Sequence, residues 1–443
     1  MQVSCPRYPA AVALLSVTLL ATAAHAQEPR RSLDLTVGGV GISIGDSRRV
    51  TGLRLNFRDS RLDRVTGVNA TIWMPYRGGH GDITGLALGL PSTGGRWIKG
   101  LLVAGFGAEV TEEFGGIGVA GLGIGVGDNA TGIVIGGLGA GAGGSMRGVA
   151  VGGLGAGVGG DFEGLAIGGL GLGAGGHARG VLIGGLGAGT GGDISGIAIG
   201  GLGVASGGHF TGILAGGLGV GAGGSGTGAL IGGVGAGIGG SFEGLLVGGV
   251  GAGVGGEFRG VALTGVGMGV GGSFSGISIS GVGEAIGGSA SGFLVNGVGM
   301  GVGGDASGVF INGFGMGAGG GIRYLTLNGF GVGAPRIEGV AVAGAVIGTP
   351  HAKGLMLAGA WLRIREEERW RGRRVVERGE ALFEGVGASA FNQVLGHQKG
   401  LTIGLVNYAW SLSGVQIGLL NIVRDNPPGR RVLPVVNWGN AQR

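Results

Sequence analysis

The sequence predicts an all-β fold, a parallel β-solenoid (β-roll or β-helix) built from Gly-rich coils of about 16 residues with atypical capping units. Three observations carry that expectation. Glycine supplies 122 of 443 residues, more than a quarter, while proline supplies only 10. The glycines recur on a fixed interval, and apolar residues alternate between them with a period of two. Collagen needs Gly at every third position with abundant Pro, and a helical domain would lose roughly 1 kcal/mol at each interior Gly. Neither suits this chain.

The interval is read from the glycine that opens each unit. Gly100, Gly116, Gly132, Gly148 and their successors to Gly308 are each 16 residues apart. Tyr324 takes the next opening place, Gly339 and Gly354 follow at intervals of 15, and Gly400 and Gly414 lie 14 apart. Upstream, Gly52, Gly67 and Gly85 open irregular, more charged units. Irregular polar terminal units are what a stack of coils needs at its open ends. The expected divisions are a signal peptide over 1–26, an N-terminal leader or cap over 27–51 and atypical repeats over 52–99. Regular repeats follow over 100–360, then a charged insertion over 361–399, and C-terminal repeats with a cap over 400–443.

In the unit Gly148–Glu163 (GVAVGGLGAGVGGDFE), with Gly148 as place one, places two and four are Val, Ile or Leu almost throughout. Places seven, nine and eleven are apolar as well. Alternation of period two means strand, and the glycine pairs Gly152-Gly153 and Gly159-Gly160 read as bends. Places two and four are expected to face inward, with a slip of one residue at the first pair. The third place would then face outward. Leu182, Leu214, Leu230, Leu246 and Phe310 occupy it and are expected to form a lengthwise apolar strip that contacts a partner. About 22 rungs at roughly 4.8 Å make a rod on the order of 100 Å long.

Stacking predicts coherent columns. Place fifteen gives Phe242, Phe258 and Phe274, an expected aromatic stack. Place five gives Thr264, Ser280, Asn296, Asn312 and Asn328, whose amides can bond along the column. Place fourteen alternates Asp161, His177, Asp193 and His209, and place sixteen alternates Arg147, Glu163 and Arg179. Opposite charges adjacent along a stack attract.

The ends carry other signals. Arg7, an apolar run from Ala10 to Ala23 and Ala24-His25-Ala26 before Gln27 read as a secretory signal peptide with an A-x-A cleavage site. Cys5, the single cysteine, would leave with it, and the formal net charge of +5 would fall by the one unit of Arg7. The expected location is the cell surface, outer membrane or periplasm. The segment Trp361–Glu380 (WLRIREEERWRGRRVVERGE) is the densest charge in the chain and is expected to protrude from the stack as a charged hairpin or lobe. Its arginines Arg365, Arg369, Arg371, Arg373 and Arg374 are candidate contacts for an anionic partner, since guanidinium forks suit phosphate or carboxylate. Pro427, Pro428 and Pro434 mark the tail as a terminal cap.

Chemistry is sparse by comparison. The GxGxxG strings have no helix or spaced acidic residue behind them, and Gly41–Gly45 (GISIG) lacks the strand–turn–helix of a nucleophile elbow. No GGxGxD repeat offers calcium ligands. His177, Asp193 and His209 read as a surface ladder, since zinc wants three or four tightly arranged ligands. Paired carboxylates on one face, as a glycan-processing β-helix needs, are missing: Asp161 and Glu163 sit at turns and Glu284 stands alone in its column. No catalytic, cofactor-binding or metal-binding residue is therefore assigned, no cofactor is expected, and the chain reads as non-enzymatic. A nucleic-acid footprint clusters cations among aromatics, whereas most basic residues here sit in the two ends of the chain, which argues against nucleic acid. The expected partner is a second copy or a cell-envelope surface, with membrane association open. The alternative architecture is an outer-membrane β-barrel, whose strands need only about 9–11 residues but also a polar face and aromatic girdles.

At the C-terminus, GLTIGLVNYAWSLS (400–413) and GVQIGLLNIVRDNP (414–427) resemble the G-[LV]-Q-[IL]-G-L-[ILV]-N units of bacterial surface-repeat proteins of the leptospiral type. The inner GIAIGG-type units are similar to the β-roll repeats of trimeric autotransporter heads. The resemblance implies export and surface association, and it carries over no site residues.

Overall fold

The computed structural model describes residues 32–75, 79–366, 369–371, 374–377 and 381–440, with 369–371 and 374–377 as backbone alone. The signal-peptide reading of 1–26 falls outside the described residues. The chain winds into a parallel β-solenoid of about 21 coils. Each regular coil contributes one long and one short strand, as in Met146–Gly152 and Gly155–Val158. The long strand pairs in parallel with Phe162–Gly168, Met146 opposite Phe162 and Gly148 opposite Gly164, so register equals the repeat. Short strands stack likewise, Gly155 opposite Gly171. The corners continue the ladder: the N–H of Leu154 donates to the Leu138 carbonyl at 2.7 Å. A transmembrane barrel is antiparallel; this stack is parallel throughout its regular coils.

Glycine at place one bends the long strand. From Gly116 to Gly308 these glycines hold φ between +112° and +150°, a region closed to ordinary side chains. A Cβ on Gly148 would overlap the carbonyl oxygen of Gly132 in the coil before.

The inward face corrects the sequence expectation. Places three, five, nine, eleven and fifteen point into the coil, while two, four and seven point out. Leu182 is 2% exposed and Leu214, Leu230, Leu246 and Phe310 are 0%. They build the core and form no outer strip. The slip inferred at Gly152-Gly153 does not occur, because place seven sits on the outer corner and the odd places continue inward on both sides of it. The reason is volume. The coil is so thin that a Cβ on Gly152 would overlap the backbone oxygen of Gly155 across the bend, so only a few places can carry a large inward side chain.

Those places compensate one another. Where place fifteen is small, place three is large: Ala178 with Leu182, Gly226 with Leu230, Ala290 with Leu294, Ala306 with Phe310. Where place fifteen is Phe162 or Phe258, place three is Ala166 or Ala262. Close packing punishes both cavities and excess volume. Phe210 and Phe242 accompany leucines, but they flank Gly226, and the Phe210 ring leans over that glycine to stack on Phe242 at 5.8 Å between centroids. Phe242, Phe258 and Phe274 continue the expected aromatic stack at 5.6 and 5.1 Å.

The asparagine column is present and buried. Asn296 Nδ2 donates to Asn312 Oδ1 at 3.1 Å, and Asn312 Nδ2 to Asn328 Oδ1 at 3.0 Å. Removing the middle rung strands a donor on one side and an acceptor on the other. At about 1–3 kcal/mol for each, Asn312→Ala is expected to cost about 3 kcal/mol in urea denaturation followed by circular dichroism. A second ladder, Asn392 to Asn407 to Asn421, runs through the C-terminal units at 2.7 Å per step. It assigns a structural role to the asparagine in GLVN and GLLN.

The ends differ from the middle. Ser32–Val37 pairs antiparallel with Val40–Gly45, whose residues join the parallel stack through Thr51–Leu55. Here the third-place column turns polar. Arg54, fully buried, donates through Nε to the Ser47 carbonyl at 3.0 Å, through Nη1 to Asn69 at 2.8 Å and to Asp59, and through Nη2 to Asp46 at 3.0 Å. Asp59 also accepts from Thr71 at 2.7 Å. Burial pushes the Asp46 carboxyl up, but hydrogen bonds from Ser60 and the charge of Arg54 outweigh it and hold the carboxyl below its ordinary range. At the other end, Val432–Asn440 closes the stack antiparallel to the strand before it, and Pro434 falls at a shift of register. An outermost strand tolerates proline.

Candidate interaction surfaces

Three outer surfaces follow from one coil. The long-strand face carries places two and four, and the adjoining corner carries place seven. From Leu101 to Leu357 these places hold only Val, Ile, Leu, Phe or Ala. Ile279 is 47% exposed and Leu154 is 50%, and Phe314 and Phe330 stack along the corner at 4.8 Å. The short-strand face is nearly bare: Gly157, Gly173, Gly237 and Gly253 at place ten meet nothing within 4 Å where a Cβ would stand.

The third surface is the polar corner at places fourteen to sixteen. It includes a groove of about 620 Å³ lined by Ser145, Arg147, Asp161, Glu163, His177, Arg179 and Asp193 among others. Its chemistry is mainly structural. The N–H of His177 donates to Asp161 Oδ1 at 2.8 Å, that of Asp193 to His177 Nδ1 at 2.9 Å, and that of His209 to Asp193 Oδ1 at 2.6 Å. Ser225, Ser241, Ser289 and Asp305 extend the same pattern. Each of these side chains accepts from the backbone N–H at the same place of the next coil. This explains why Asn, Asp, Ser and His interchange at place fourteen: each offers an acceptor close to its Cα. The His177 ring also lies 3.3 Å from Asp193 Oδ2. Among the described residues, no three His, Cys, Asp or Glu side chains converge as a metal ion would require. At place sixteen, Arg147 and Glu163 pair at 2.8 Å, as the alternation of sign predicts.

The charged insertion is shorter than its sequence bounds of 361–399. Trp361–Ile364 still stacks on Val346–Thr349, and the long-strand ladder resumes at Leu382–Ala388 against His351–Ala358. Between them Arg369–Arg371 and Arg374–Glu377 form a separate antiparallel two-stranded sheet, with Arg369 opposite Glu377 and Arg371 opposite Arg374. Arg365 is exposed at its base. Arg369, Arg371 and Arg374 lie on these strands, and Arg373 falls outside the described residues.

One residue breaks the apolar column of place nine. Glu284 stands between Met268 and Met300, 5% exposed, and Ser278 Oγ donates to it. Burial pushes its carboxyl up to about 7, against the opposing hydrogen bonds from Ser278 and Asn296. The sequence shows Glu284 alone in its column; its position between two methionines is the signal that it is interior.

These features define a structural repeat protein of the parallel β-solenoid class. Set against known proteins, the chain matches no protein-family model, no curated protein and no solved structure.

Proposed function

We propose that this is an exported, non-enzymatic repeat protein whose role is structural and surface-interacting, in the manner of the bacterial surface-repeat proteins that its C-terminal units resemble. The observation that carries the reading is the unbroken outer apolar face from Leu101 to Leu357. Contiguous apolar patches on soluble monomers rarely exceed about 300–600 Å², and a chain that retains a larger one uses it for contact. The signal-like segment ending at Ala26 supports export.

Expression of the full chain in a Gram-negative host tests it. The product is expected outside the cytoplasm, beginning at Gln27, with its surface accessible to protease or antibody on intact or osmotically shocked cells. Full-length chain retained in the cytoplasm would overturn the reading.

A further inference from the structure

We infer that the long-strand face, places two and four of the regular coils, is covered by the same face of a second copy of this chain. The inference rests on the surface-interaction reading and names the partner.

Size comes first. From Leu101 to Leu355 the face runs on the order of 75 Å at about 4.8 Å per coil, and its two columns with their flanks are about 10 Å wide. That is roughly 800 Å² per copy, the amount each partner contributes to a standard stable interface. The edge at place seven, with Leu154, Leu170 and Leu186 half exposed, adds an apolar rim.

Shape favours an identical partner. The side chains stand in rows repeated once per coil, all on one register. A second copy has the same repeat, so its rows interdigitate along the whole length, as in face-to-face packing of sheets and in stacked identical segments. A partner with a different repeat falls out of step within a few coils.

Charge argues against the competing occupant, a lipid surface. Surface-lying segments couple an apolar face to Lys and Arg along its border, with aromatic residues at the headgroup level. The border here is place sixteen with its neighbour place fourteen, where cations alternate with acids and several are paired: Arg147 with Glu163, Arg259 with Glu257, Arg323 with Glu338, Lys353 with Glu384. The face itself holds aliphatic residues and a single aromatic, Phe293. A border of mixed sign lacks the one-sided basic stripe that draws a segment to anionic headgroups, and the aliphatic face suits a dry contact with its own kind.

Sedimentation of the purified full chain tests the proposal. A species of about twice the 42.8 kDa chain mass is expected at micromolar concentration. Ile197→Lys combined with Ile213→Lys and Ile231→Lys places three charges on the face without entering the core. It is expected to weaken the dimer at least 100-fold with an unchanged circular dichroism spectrum. Gly157→Lys, on the bare short-strand face where a Cβ meets nothing within 4 Å, is expected to leave the dimer intact and serves as the control. A wild-type monomer would overturn the proposal, as would a triple variant that folds and still dimerises. So would a monomer that co-sediments with vesicles of phosphatidylcholine and phosphatidylglycerol, which would assign the face to lipid. If the triple variant fails to fold, Ile279→Lys alone, read by the same sedimentation, decides between weakened and unchanged pairing. Export with a monomeric product would sink this inference alone, whereas a cytoplasmic dimer would sink the export reading alone.

Discussion

Gly212→Ala is expected to destabilise the solenoid by more than about 4 kcal/mol, or to prevent its central coils from forming. Gly212 opens a regular coil with φ of +125°, and a Cβ there would overlap the carbonyl oxygen of Gly196. Two penalties combine: the left-handed backbone is strained for any L side chain, and the obstacle is backbone, which cannot rotate away. The same substitution at Gly157 has the opposite expectation. Its Cβ would meet nothing within 4 Å, so Gly157→Ala should be neutral or stabilise by about 0.5–1 kcal/mol by restricting the unfolded chain. Urea denaturation by circular dichroism measures both, and hydrogen exchange locates the damage, because a solenoid loses coils locally as well as globally. Equal effects at 212 and 157 would refute this account of the glycine pattern. The chain supplies its own comparison at Tyr324, which holds the opening place with φ of 81° and a largely exposed ring. Tyr324→Gly relieves strain of about 1 kcal/mol and is expected to stabilise.

The contrast between Gly212 and Gly157 also shows what could be read in advance. Interval and register were legible because every backbone demand repeats: Gly148, Gly164 and Gly180 bend the strand for the same reason in each coil. The ladders through Asn312 and through Phe258 were legible because stacking puts like on like. Inside and outside were not. Hydrophobicity marks Val149 and Val151 as core and Ala150 as filler, yet the thin coil takes Ala150 in and leaves the valines on the outer face. Volume was the missing criterion, and the reciprocity between Ala306 and Phe310 or Phe258 and Ala262 records it in the sequence. Arg54 eluded the reading for another reason. Its satisfaction depends on Asp46, Asp59 and Asn69, brought together by a loop outside the regular repeat.

Glu284 gives the protein a stability that falls as pH rises through the range below neutrality. In the unfolded chain its carboxyl titrates near 4.5, while in the core burial holds it at about 7. Below pH 4.5 the group is protonated in both states and contributes nothing to the pH dependence. Between 4.5 and 7 the unfolded chain gives up the proton that the folded chain keeps, so each increment of pH favours unfolding. Above 7 both states are ionised and the full penalty stands, about 3 kcal/mol from 1.36 kcal/mol per pH unit of displacement. Glu284→Gln keeps the shape and the acceptor for Ser278 without the ionisation. At pH 8 the variant is expected to be more stable than the wild type by up to that amount, and the difference should shrink towards zero as pH approaches 4.5. Measuring the two proteins side by side at each pH cancels the titration of every other group. Hydrogen exchange should place the gain in the coils around Gly283–Ile286 and Ala290–Asn296. A constant difference across pH 4.5–8 would mean that Glu284 is not titrating in the core, and a variant weaker at pH 8 would mean that the carboxylate is stabilised there by a partner the coil does not provide.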